Sequence, residues 1–154
     1  MKKVLIFVII IMMFIPLITG CSDDSVVEID ERVFLTMVTH INQNSNDYIG
    51  RTVRFEGMFQ SFYLPALGGD YHEVYRKTLG CCGDDGFTGF IVYLGDIAPL
   101  QDNAWVEVVG AFEWLLVELP QADDGIEREP IRLLRVAADS ITELDERGLE
   151  FVVQ

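Results

Sequence analysis

Hydrophobic and polar positions change their spacing twice along this chain. Lys2 and Lys3 precede fifteen uncharged, almost wholly apolar residues, Val4 to Ile18, a basic head and an apolar core of the length found in secretory leaders. Residues 22–28 are polar and acidic and read as a spacer. From there Val33, Phe34, Met37, Val38 and Ile41 recur at helical spacing. Asp30 is a good N-cap, Glu31 suits the positive end of a helix, and Ile29 and Phe34 stand where a hydrophobic staple forms. Asn42, Asn44, Ser45, Asn46 and Asp47 break the pattern, and Gly50 marks a turn.

Alternation then takes over. In Thr52–Tyr63, Val53, Phe55, Gly57 and Phe59 fall on one side and Thr52, Arg54 and Glu56 on the other, with Gly57 predicting a bend or bulge. Leu64–Asp70 reads as a loop, Glu73–Leu79 as a second strand and Thr88–Leu94 as a third, joined through Gly80-Cys81-Cys82-Gly83-Asp84-Asp85-Gly86. Ala104–Val117 is a long fourth strand interrupted by Gly110. Ile131–Val136 follows an acidic loop as a fifth, with Ser140–Leu144 continuing it or starting another. Short, glycine-bent strands of this number suit a small closed barrel better than a flat sheet with open edges. The expected fold is mainly β: a small five-stranded OB-like barrel with an N-terminal α-helix. An immunoglobulin-like sandwich is the runner-up, disfavoured because it wants about seven strands.

The apolar start ends in Leu17-Ile18-Thr19-Gly20-Cys21. This run resembles the lipobox of bacterial lipoproteins, in which the cysteine is acylated and becomes the first mature residue. A retained membrane span needs about 20 apolar residues, and fifteen with Pro16 near their end fall short. The expected layout is a lipoprotein signal peptide at 1–20, lipidated Cys21 and spacer at 21–28, and a helix-plus-barrel domain at 29–154. The expected location is the extracytoplasmic face of a bacterial membrane, held through a lipid anchor; two acyl chains anchor stably where one does so marginally.

The chain carries 11 basic and 25 acidic residues, a formal net charge of −14. Loss of Lys2 and Lys3 with the leader deepens that. Such a surface repels phosphate backbones, so no nucleic-acid partner is expected.

With Cys21 acylated, Cys81 and Cys82 are the remaining thiols, and three readings of them stand open. A vicinal disulfide would be strained, because adjacent Cα atoms lie about 3.8 Å apart against a usual disulfide span of about 4.4–6.8 Å; it would serve redox chemistry. A metal site needs the backbone to turn so that both sulfurs converge, which Gly80 and Gly83 permit. Asp85, and His72 upstream, would complete a tetrahedral zinc shell. Two small residues packed in a tight hairpin, with no ligand, is the third.

Tyr48-Ile49-Gly50-Arg51-Thr52-Val53, then Gly57 and Phe59, then Arg76 five residues before Cys81-Cys82 with Asp85 after, then Trp105-Val106, Val108 and Gly110 form an ordered set. It resembles the C-terminal extracytoplasmic domain of a bacterial two-component permease-subunit family of uncharacterised function, over roughly residues 30–144. The resemblance implies an OB-like barrel and a role beside a multipass permease or other envelope protein in transport of small solutes or metal ions. It also favours zinc at Cys81, Cys82, Asp85 and His72 over chance packing. Two departures stand out: a lipid anchor replaces the family's multipass helices, and the tail Asp145–Phe151 lacks the family's proline- and tyrosine-containing ending.

Other constellations carry less. His40 sits at the margin of the helical stripe and reads as a half-buried packing residue. Asp123-Asp124-Gly125 with Glu127 and Glu129 lacks the EF-hand register and reads as a solvated loop. Trp105 and Trp114 read as core and rim of the barrel. No catalytic motif is present. The expected function is therefore a membrane-anchored accessory or binding module that holds zinc in an envelope transport complex. The alternatives are a metal-free protein-interaction module and a vicinal-dithiol redox module.

Overall fold

A thirteen-residue strand, β2 (Thr52–Leu64), organises the molecule by pairing with two partners in succession. In the computed structural model, which describes residues 25–65, 68–79, 86–118 and 129–152, its first half runs antiparallel to β5 (Trp105–Val117). Its second half runs antiparallel to β3 (Gly69–Thr78). Met58 is the crossover, standing opposite both Trp105 and Tyr75. The bend expected at Gly57 is where this happens. A Cβ there would lie 2.7 Å from the Tyr75 carbonyl oxygen, so only glycine lets the two strands approach this closely.

The remaining strands close the ring. β3 pairs antiparallel with β4 (Gly86–Tyr93), β5 pairs antiparallel with β6 (Ile131–Glu143), and β4 runs parallel to β6. The circuit β2–β3–β4–β6–β5–β2 is a closed five-stranded OB-like barrel, as expected. Val53, Phe55, Phe59, Val74, Phe90, Val92, Val106, Val108, Phe112 and Val136 form its interior. Phe55, Phe90 and Phe112 meet edge to face, with centroids 5.4 and 5.2 Å apart, the favoured geometry for aromatic pairs.

The N-terminal helix forms as a short 3-10 turn, Glu31–Val33, running into α1 (Phe34–Gln43). Asp30 caps it by accepting from the Arg32 backbone N–H at 2.9 Å. Phe34, Val38 and Ile41 lay the predicted stripe into the barrel core. His40 differs from expectation: it is exposed, with its ring edge-on to Tyr48.

Several boundaries are corrected. The spacer expected over 21–28 ends early, because Val27–Ile29 form β1, parallel to Val53–Phe55, with Val27 and Ile29 buried. The loop expected over Leu64–Asp70 is shorter at both ends, since β2 runs through Leu64 and β3 begins at Gly69; His72 lies within a strand. The fifth barrel strand is one continuous element through Glu143, accommodating an irregularity opposite Val109 and Gly110. The tail returns as β7 (Phe151–Val152), parallel to Lys77 and Thr78. Trp105 is core, 1 % exposed, and Trp114 is half-buried under Arg132.

Candidate functional site

The β3–β4 register fixes where the cysteine segment starts and stops. Thr78 pairs with Gly86, so residues 79–85 connect two adjacent antiparallel strands at one end of the barrel. Cys81, Cys82 and Asp85 lie outside the described residues, as does Cys21. Among the described residues, no group of three or more His, Cys, Asp or Glu side chains is placed to hold a metal ion.

His72 stands far from the strand end that carries Asp85. Six residues separate it from Thr78 along β3, which at about 3.3 Å per residue is about 20 Å. Asp85 is bonded to Gly86 and stays about 3.8 Å from it, so His72 and Asp85 cannot ligate one ion. The imidazole is engaged where it stands, with Nδ1 3.0 Å from the Ser61 hydroxyl and the ring stacked on Phe59 at 5.5 Å. The expected shell cannot therefore hold both His72 and Asp85 on one ion, and Cys81 and Cys82 lie outside the described residues.

What anchors the base of this hairpin is Arg76. Its side chain is among the largest fully buried ones, yet it is charged. Nε donates to the Glu56 carbonyl and Nη1 to the Leu149 carbonyl, both at 2.9 Å. The Glu31 carboxylate lies 3.8 Å away. The guanidinium carbon sits 4.9 Å from both the Phe34 and the Trp105 rings, a cation sandwiched between π faces. Burial pulls this group below its ordinary value, and the Glu31 and Glu56 carboxylates pull it back up. One side chain therefore ties together β3, β2, the helix entrance and the tail.

The tail is fastened along its length. Leu144 N–H donates to the Trp105 carbonyl, Leu149 N–H to Glu31, and Lys77 N–H to the Glu150 carbonyl. Arg147 donates to the Asn103 carbonyl and to Glu150. That hydrogen bond, with Lys77 nearby, holds the Glu150 carboxyl below the usual range. Beside the hairpin, Leu79, Phe87 and Phe151 are exposed apolar side chains, with the Lys77 ammonium 5.3 Å above the Phe151 ring.

A titratable group absent from the sequence expectations is Glu73. It sits in mid-strand between Gln60 and Ile91, and burial raises its pKa, only partly offset by a 3.0 Å hydrogen bond from Gln60. The folded protein therefore holds this proton more tightly than the unfolded chain. The stability it contributes is complete below the ordinary value of 4.5 and is lost as pH rises through the folded-state value. Glu73→Gln is expected to raise the melting temperature at neutral pH and to leave it nearly unchanged at about pH 4, as read by thermal scans across pH.

A family model described as the DUF1980 C-terminal domain matches residues 16–119. The matched span ends before β6, so the barrel's last strand and the tail lie beyond it. No curated protein matches the chain.

Proposed function

This chain belongs to the DUF1980 C-terminal domain family, and from that premise we propose a lipid-anchored, extracytoplasmic binding module whose β3–β4 connection takes a thiophilic cation, zinc being the fitting ion. The supporting observation is the Thr78–Gly86 pairing. It confines Cys81, Cys82 and Asp85 to one seven-residue connection rooted in a strand that Arg76 locks in place. Two thiolates and a carboxylate suit zinc by ligand softness and charge. An ion held by Asp85 is beyond the reach of His72, and the three donors Cys81, Cys82 and Asp85 would leave one position for water or a partner's ligand, the coordination of a site that exchanges its ion. That is what an accessory in an envelope transport complex requires. A chelator competition with purified protein tests the donor set. Cys81→Ser and Cys82→Ser are each expected to cost at least ten-fold in zinc affinity, and an affinity unchanged from the parent protein in either variant would contradict it.

The lipobox-like run supports the address. Cys21→Ala is expected to move the protein from the detergent phase to the aqueous phase when membranes are partitioned; a variant still in detergent would remove the lipid anchor from the account.

A protein partner is favoured by one further observation. Leu79, Phe87 and Phe151 expose apolar surface next to the same hairpin, and clustered apolar side chains at a rim of this kind suit contact with another protein. In this reading the partner covers the hairpin end of the barrel and is a multipass permease or another envelope protein. Cross-linking from a photoreactive residue at Phe87 in intact membranes, followed by identification of the captured chain, tests it.

A further inference from the structure

At the opposite end of β3 the barrel carries a groove of about 350 Å³, a volume at the small-ligand end of the range for binding pockets. Tyr71 of β3, Tyr93 of β4 and Arg135 of β6 line it, with Asp70, Ile97 and Pro99 around its margin. Three strands distant in sequence supply these groups. β3 and β4 bring His72 opposite Val92, and the parallel β4–β6 pair sets Ile91 opposite Arg135 and Tyr93 opposite Ala137.

The chemistry is specific in three respects. Tyr93 remains 51 % exposed while the Arg135 guanidinium carbon, 4.4 Å from its ring centroid, holds it in place; Tyr71 is braced by Phe62. Two positioned aromatic rings thus border a concave space. Arg135 is neutralised, its Nε and Nη2 each 2.6 Å from Glu113 Oε1, so the groove offers no free cation to an anionic ligand. Asp70 and the chain's net charge of −14 repel one further. Hydrogen-bonding groups are nonetheless present at the margin: the two phenol hydroxyls, the Asp70 carboxylate and the outer N–H groups of Arg135. An uncharged ligand with a flat apolar face and a polar rim satisfies all three conditions.

We propose that this groove binds a neutral oligosaccharide, with a pyranose ring lying against Tyr93 and its hydroxyl groups meeting Arg135 and Asp70. The C–H face of such a ring is the apolar surface an aromatic platform covers, and its hydroxyls both donate and accept. The site is about 20 Å along β3 from the cysteine connection and does not rest on the metal reading.

Calorimetric titration of the full chain, in a detergent whose headgroup is not a sugar, with chitotetraose and cellotetraose tests the proposal. Saturable binding of at least one of them is expected, with a Kd between about 10 µM and 1 mM. Tyr93→Ala is expected to weaken it at least ten-fold without lowering the melting temperature, whereas Tyr93→Trp, which keeps a flat platform, retains it. Heat from neither sugar overturns the proposal. So does affinity that survives Tyr93→Ala, or an equal loss in Tyr93→Trp. Binding of an oligonucleotide or a peptide at Tyr93 in place of either sugar overturns it as well.

Discussion

Arg76→Leu is expected to remove about 3–5 kcal/mol of unfolding free energy, because two carbonyl oxygens lose a buried charged donor at about 1–3 kcal/mol each. The substitution leaves the carbonyl oxygens of Glu56 and Leu149 without this donor and Glu31 without its nearest guanidinium. It also strips the stacked cation from Phe34 and Trp105. For a domain whose total stability is about 5–15 kcal/mol, that is a large share. Arg76→Lys restores a charge but not a planar fork able to serve two carbonyls at once; it is expected to recover no more than about half of the loss. Urea unfolding followed by tryptophan fluorescence reads the effect directly, because Trp105 lies against the guanidinium. In the sequence Arg76 is only one residue of the set that precedes the cysteines; its surroundings make it the clasp that joins the tail to the barrel.

Gly110→Ala is the second large effect. Gly110 lies on β5 between β2 and β6, opposite Val53 on one side and Ala138 on the other. A Cβ there would overlap the Ala137 carbonyl oxygen and come 2.8 Å from the Ala138 Cα. Both obstacles are backbone, so neither can rotate aside, and relief requires β6 to move away from β5. A cost of about 3 kcal/mol is expected, at the upper end of overpacking substitutions. The control is Gly50→Ala. Gly50 has φ +81 but open space around its Cβ position, so only the conformational term of about 1 kcal/mol applies. Thermal and urea unfolding of the two variants side by side separate steric closure of the barrel from backbone strain. Similar losses in both would show that the β5–β6 approach is not tight.

These two effects illustrate which parts of the fold can be read from the chain. Val53 and Phe55 alternate with Arg54 and Glu56 at a two-residue period that fits no helix, and Gly57 and Gly110 mark strands that crowd a neighbour; hence the barrel was legible. β1 and β7 were not, because three and two residues are too few to show a period; they exist through pairing with Val53–Phe55 and Lys77–Thr78. His72 was placed beside the cysteines on nearness in sequence. An extended strand advances about 3.3 Å per residue, so nearness in sequence becomes distance in space. Tyr71, Tyr93 and Arg135 had no local signature at all, since the parallel β4–β6 contact that unites them spans more than forty residues. Glu73 drew no notice in the sequence, because its partial burial arises from the strands on either side, where Gln60 and Ile91 stand opposite it.

The functional account concentrates on two thiols and a carboxylate held between Thr78 and Gly86. Its most direct test is the zinc content and free-thiol count of one sample of full-length protein, extracted from membranes and purified without oxygen. The account predicts about one zinc per chain, with Cys81 and Cys82 shielded from alkylation until a chelator removes the ion. Protein free of metal whose two thiols alkylate at once, or are joined in a reducible bond, would contradict it.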